Sequence, residues 1–388
     1  MLILFLTSRF PYPLEKGDKL RAFYQIVELS KRHEIILVSV NDQPVLPEHF
    51  EALKPLCKKI ILHQIGKGKQ ILNILKALVN GKPFQVEYFF DEKLKRKITQ
   101  IIKEEKPDVA FCQLVRMAEY MKGENHISKT LDYQDAFSKG YERMAERASL
   151  LMKIPLKMEW KRLKRYEGDV FDKFDHKIII SDQDRNLISH PNYNNIQVVP
   201  NGVAFEYWYP IEEEKKYDLI FAGNMNYPPN IESALFIAKE VMPLLLKKKS
   251  DIRLVIAGAN PSKEILKLQS DQIVVTGWVD DMRNYFAQSK IHLAPMLISI
   301  GLQNKILQAM AMKIPCIVST LANNAIHAPA GDCLLIADNS KEYVDAILYL
   351  LDDKESADRL AENAFRFVKD NFGWDKVVRK MEKIIFNN

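Results

Sequence analysis

The sequence predicts an α/β protein built from two parallel sheets, each in its own domain, and three observations lead there. Short continuous apolar runs alternate with helical patterns along the whole chain, as strands of parallel sheets covered on both faces do. About six such runs stand on each side of one break, too many for one compact doubly wound sheet and suited to two. The break, 199–216, carries the turn chemistry of Pro200, Asn201 and Gly202, then the acidic-then-basic run 212–216 of a solvated linker.

In chain order, the first half is expected to place strands at 2–7, 35–40, 59–63, 109–112, 129–132 and 177–180, with a helix at 20–31. The second half is expected to place them at 219–222, 253–257, 273–276, 291–294, 316–319 and 333–336, with helices at 231–247 and 344–351. The domains so drawn are Rossmann-like units at 1–205 and 206–374. A last amphipathic helix, within 375–388, carries Val377, Val378, Met381, Ile384 and Ile385 on one side. It either finishes the second domain or crosses back onto the first.

The composition is globular: 388 residues, 47% hydrophobic and 27% charged, which excludes disordered and fibrous classes. The four cysteines are scattered, and neither they nor the eight histidines have metal-ligand spacing, so a reduced compartment and no structural metal are expected. A net charge of +6 is a mild excess, compatible with an anionic substrate or an anionic membrane surface. The first apolar run reads as a buried strand: its early positive charge follows the run, the wrong order for a secretory signal, and a cytoplasmic location is expected.

The stretch 301–320 reads as a polar loop, an amphipathic helix and a buried strand. Gly301 lets the backbone approach a bound group where free helical N–H groups favour an anion, and Lys305 and Gln308 share one face. The arrangement suits a nucleotide diphosphate; an ordinary helix–strand unit is the alternative. The loop after the first strand offers Gly17, Asp18, Lys16, Lys19 and Arg21, either as a ligand loop or as a capped turn with surface charges. Gly223 and Asn224 follow the first strand of the second half, ahead of Asn230 as a helix cap, and Gly277, Trp278 and Val279 follow another. Backbone there suits a planar base edge, with Trp278 read more readily as packing than as a stacking platform. Asp132 and Asp135, just past a strand, serve either acceptor binding and catalysis or loop capping, and Asn201 either holds the inter-domain turn or reaches a cleft. Two basic and apolar segments, 65–97 and 139–167, suit either an anionic lipid surface or solvated helix faces. Aromatic interleaving is too sparse for nucleic-acid binding.

Five segments together resemble the large retaining glycosyltransferase family of GT-B fold, group 1, and within it the exopolysaccharide- and exosortase-associated subgroup. They are RFPYPLEKGDKLRAF, RLKRYEGDVFDKFDHKIIIS, VVPNGV, FAGNMNYPPNIESALFIAKEVMP and GLQNKILQAMAMKIPCIVS. The resemblance implies two Rossmann-like domains facing a cleft, with the last helix returning to the first. It implies a UDP- or GDP-sugar donor, a glycan or lipid-linked acceptor, and neither a cofactor nor a metal. Gly17 would approach the diphosphate, Val279 would lie at the base, and Lys305 would neutralise a phosphate. Gly301, Leu302, Gln303 and Asn304 would line the sugar and phosphate side, and Gln308 would meet the ribose. The family's two glutamates are replaced by Ile300 and Gln308, and an amide offers one acceptor where a carboxylate offers two. Weakened or lost activity is the alternative that these departures raise.

Overall fold

The structure is a computed structural model that describes residues 1–297 and 301–386. The chain forms two compact units, Met1–Pro200 with Val377–Asn388, and Asn201–Lys376.

Unit 1 holds a seven-stranded parallel sheet of order β3-β2-β1-β4-β5-β6-β7. Its strands are β1 (Leu2–Thr7), β2 (Glu34–Asn41), β3 (Lys59–Gln64), β4 (Val109–Gln113), β5 (Ser128–Asp132), β6 (His176–Ile179) and β7 (Gln197–Val198). The central strands are apolar along their length because helices cover both faces: Ile3, Leu4, Phe5 and Leu6 are all fully buried. The register pairs Leu4 with Ile36 on one side and with Ala110 on the other. Strand β7 has only two residues, too few to show a pattern in the sequence.

Helix Gly17–Ser30 follows β1 and starts earlier than its apolar pattern. Lys16 stands at its cap position and Asp18 inside its first turn, bonded to Arg9 at 2.6 Å. The helix buries Ala22, Ile26 and Leu29 against the sheet. The final helix, Trp374–Ile385, carries the chain back into unit 1. There Glu382 accepts from Arg32 at 2.9 Å and pairs with His33 at 2.7 Å, and Gln25 Nε2 lies 3.4 Å from the Met381 sulfur.

Unit 2 holds a six-stranded parallel sheet of order β10-β9-β8-β11-β12-β13. Its strands are β8 (Tyr217–Ala222), β9 (Leu254–Ala257), β10 (Ile273–Val275), β11 (Ser289–Ala294), β12 (Cys316–Val318) and β13 (Leu335–Ile336). The chain moves outward from β8 to β10 and then returns to place β11 on the other side of β8. Within the break 199–216, Val203 and Ala204 are buried, and Val203 N donates to Phe372 O at 2.6 Å. The expected linker, 212–216, is exposed along its whole length.

The helix expected at 231–247 contains a π turn, Ile237–Val241, between Pro228–Phe236 and Met242–Lys248. Pro243 explains it: its missing N–H and its ring force the preceding turn to widen rather than close an ordinary bond.

Candidate functional site

In unit 2 the carboxyl ends of β8 and β11 meet where the strand order changes direction, the place at which doubly wound sheets take ligands. The loops there approach closely because glycines stand at the contacts. A Cβ on Gly258 would lie 1.8 Å from the Gly223 carbonyl oxygen, and its φ of +143° is one that side chains disfavour. Gly223 N donates to Ala257 O at 3.0 Å and Met225 N to Ala259 O at 2.8 Å, which locks the β8 and β9 loops together.

After β11, Gly301 at φ +50° leads through Leu302 and Gln303 into helix Asn304–Ala311. Among the described residues no side chain caps that helix; Ile306 N turns back to the Gln303 carbonyl at 3.0 Å, and the N–H groups ahead of it have no side-chain acceptor. Ile306, Leu307, Ala309 and Met310 are fully buried, which fixes the helix axis and directs its start at the strand ends.

Lys305 lies in that first turn and is 9% exposed. Its Nζ donates to Asn230 Oδ1 at 2.7 Å and lies 4.4 Å from the centroid of the Phe221 ring. Asn230 Nδ2 in turn donates to the Asn224 carbonyl at 3.0 Å, which turns its oxygen toward the lysine. Among the described residues no carboxylate pairs with Lys305. Burial alone pulls its ammonium down to about 7, because nothing offsets the lost hydration. His292 is fully buried nearby, and burial followed by the Lys305 charge lowers it to about 3, so it stays neutral.

The other expected site residues of unit 2 fall into two groups. Asn201 Nδ2 donates to Asn304 Oδ1 at 3.3 Å, and Gly223, Asn224, Asn230 and Lys305 join through the bonds above. Gln303 Nε2 reaches the Gly301 carbonyl at 3.3 Å, Leu302 packs on the core, and Gln308 is half-buried one turn beyond Lys305. Trp278 and Val279 stand apart, beyond β10, two strands from β8; Trp278 is 73% exposed and Val279 half-buried. Trp278 is therefore no packing residue within the described chain. Ile300 lies outside the described residues.

In unit 1, Gly17 is exposed and Asp18 is tied to Arg9, with its carbonyl accepting from Gln113 Nε2 at 2.7 Å. Asp132, expected as a catalytic or loop-capping carboxylate, is fully buried and bonded on all sides within its own unit. Arg21 Nε donates to its Oδ2 at 2.6 Å, Gln25 Nε2 to the same oxygen at 3.0 Å, and Gln134 N to Oδ1 at 2.9 Å. Arg21 also reaches the Val199 and Pro200 carbonyls at 3.0 Å each. Arg21, a ligand-loop cation or a surface charge on its local sequence, is neither; a 111-residue separation from Asp132 leaves no local signal of the pair. Asn230 was expected only as a cap. Its proximity to Pro228 and Pro229 at a helix start was the one available hint of its inward direction.

A cavity of about 930 Å³ opens at the amino ends of β5 and β6, lined by Lys122, Ser128, Lys129, Asp175 and His176. It lies at the opposite end of the strands from the ligand position of such a sheet. Among the described residues, no group of three or more His, Cys, Asp and Glu side chains could hold a metal.

Comparison with known proteins agrees with this geometry. Residues 216–353 match the family described as Glycosyl transferases group 1. An uncharacterized protein in the cps region of Klebsiella pneumoniae is 21% identical, over 98% of this chain and 99% of that one. An uncharacterized glycosyltransferase of Methanocaldococcus jannaschii is 26% identical, over 60% of this chain and 64% of that one. Among solved structures, Anabaena HepE in complex with UDP matches at TM-score 0.71 and 13% identity, with 100% of both chains covered. Sucrose-phosphate synthase of Thermosynechococcus elongatus matches at 0.69 and 13%, covering 100% of this chain and 99% of that one. The fold is the GT-B type, and the family match and the relatives support a glycosyltransferase.

Proposed function

We propose that the chain transfers a sugar from a UDP- or GDP-sugar to a cell-surface glycan or lipid-linked acceptor, with retention at the anomeric carbon and with no metal or cofactor. The observation that carries this reading is Lys305, a buried lysine with no carboxylate partner in the first turn of an uncapped helix. A protonated Lys305 and the free N–H groups of that turn form a cradle for a diphosphate. Charge builds on the diphosphate as the glycosidic bond breaks, so a fixed cation there stabilises the transition state more than the bound donor. HepE, which shares the fold, is known in complex with UDP, which supports a nucleotide ligand. Gly301, Gln303 and Asn304 are assigned to the sugar and phosphate side, Gln308 to the ribose, and Trp278 and Val279 to the base.

Isothermal titration of UDP- and GDP-sugars, with donor hydrolysis followed in parallel, tests the proposal. Binding that weakens at least tenfold in Lys305→Met, together with turnover in the wild type, is expected. Binding without any turnover across the panel would instead support the second reading, a silent nucleotide-binding subunit. Gln308, in place of a carboxylate that accepts two ribose hydroxyls, is the observation that favours that second reading.

An inverted helix supports an acceptor that lies at a membrane surface. In Lys67–Asn80 the polar Gln70 and Asn73 are buried, donating to the Ile65 and Phe90 carbonyls at 3.1 and 2.8 Å. Its apolar residues point outward instead: Ile71, Leu72, Leu75, Leu78 and Val79 are all exposed, Val79 to 90%. Leu150, Leu151 and Ile154 are exposed likewise in helix Leu150–Asp169, beside Lys153 and Lys157. Outward apolar side chains flanked by lysines suit a bilayer of anionic lipid. No described helix is long and apolar enough to cross a membrane. Flotation with phosphatidylglycerol vesicles is expected to carry the protein, and Leu72→Glu/Leu75→Glu to release it. Equal recovery with neutral vesicles would argue against charge-assisted docking.

A further inference from the structure

Unit 1 also contains a buried cation to which, among the described residues, no carboxylate is bonded. Arg116 lies in the tight turn Val115–Met117 just after β4, and β4 and β1 are the strands between which the order of this sheet changes direction. It is 5% exposed. Its Nη2 donates to Gln85 Oε1 at 2.6 Å, while Nε and Nη1 are sealed from solvent and bond to nothing. The guanidinium is held between two rings, 4.9 Å from the Phe89 centroid and 4.7 Å from that of Phe137. Burial, and next the neighbouring Arg9 charge, lower it to about 10. Arg9 itself is partly exposed and is bonded to Asp18.

Two orphaned donors on a buried guanidinium cost more than the facing rings return, since each desolvated N–H forfeits its water without gaining an acceptor. The backbone adds to the cost: Leu114 is held at φ +67° and ψ 149°, a region that side chains avoid. A planar fork with free N–H groups fits the two oxygens of a carboxylate or phosphate better than any other group. Phe137 is the half-buried ring of the pair and Phe89 the buried one, so the guanidinium lies nearer solvent on the Phe137 side.

We propose that Arg116, with Arg9 as its neighbour, binds an oxyanion carried by the acceptor, a phosphate or a carboxylate on the molecule that receives the sugar. The word acceptor rests on the transferase reading; the anion site itself does not.

The test uses full-length protein carrying Lys305→Met, which removes the donor cradle, and titrates it with inorganic pyrophosphate and separately with glucuronate. Binding of at least one anion is expected to survive Lys305→Met and to weaken at least tenfold when Arg116→Met is added. Arg116→Lys should recover part of it, and Arg9→Gln, on a partly exposed side chain, should weaken it several-fold. The anion that binds tells a phosphate-type from a carboxylate-type acceptor. The proposal is overturned if neither anion binds, or if binding disappears with Lys305→Met and is indifferent to Arg116 and Arg9. Should Arg116→Met not fold, indifference to both Arg9→Gln and Arg116→Lys overturns it equally. Nucleotide-sugar binding by the wild type, measured alongside, separates failure of this site from failure of the transferase reading.

Discussion

Arg21 in unit 1 and Lys305 in unit 2 are both buried cations beside the carboxyl ends of parallel strands, but they are built in opposite ways. Arg21 and Asp132 are both 0% exposed and 2.6 Å apart, and two carbonyls take the remaining guanidinium protons. Lys305 has an amide oxygen, an aromatic face and, among the described residues, no counter-charge. The first cation is neutralised within its own unit and holds helix Gly17–Ser30 to β5 and to the end of the first segment. The second is left for something outside the protein to neutralise. A buried ion pair is therefore structural evidence, and a buried unpaired cation is evidence for a ligand.

Breaking the pair should have the largest effect. Asp132→Asn leaves the Arg21 charge buried without a partner, and should cost about 3–5 kcal/mol, read from the urea midpoint. Replacing both together, Arg21→Met with Asp132→Leu, should recover most of that loss, because no lone charge remains. Unchanged stability in Asp132→Asn would mean that the pair is not what closes this region.

Lys305→Met should act in the opposite sense. It removes an uncompensated charge, so the unliganded protein should gain on the order of 1–2 kcal/mol while nucleotide-sugar binding weakens tenfold or more. Thermal melts with and without UDP-glucose separate the two effects. A less stable variant would show that the lysine is part of the packing and not held for a ligand.

Gln308→Glu should have the smallest effect, raising turnover severalfold through one added acceptor for the ribose, about 1 kcal/mol. A fall in turnover would place the residue elsewhere in the site.

The strands were legible because buried parallel strands are continuous apolar runs, and Lys305 and Gly301 were legible because they sit together at a helix start. Burial was not. Asp132 has the local sequence of an exposed loop carboxylate; the adjacent turn supplies Gln134 N, but Arg21 and Gln25, more than a hundred residues away, bury it. Helix Lys67–Asn80 lies in the segment 65–97 that was legible as basic and apolar, but the sequence pattern does not say which side faces out. Its apolar side does, because Gln70 and Asn73 satisfy interior carbonyls that an apolar residue would leave bare. Arg116 carried no signal at all, since its meaning lies in what it fails to touch.

The pH dependence of donor affinity tests the central claim most directly. A lysine lowered to about 7 is half neutral at that pH, and an anion binds its protonated form, so binding takes up a proton. Affinity for UDP-glucose or GDP-mannose, whose diphosphates do not titrate in this range, should be level below pH 6. It should fall as pH rises through about 7, approaching tenfold per unit by pH 9. Lys305→Met should bind weakly and without that slope. A wild type whose affinity stays flat from pH 6 to 9, or a variant that keeps the slope, would contradict the assignment of Lys305 as the cation held for the diphosphate.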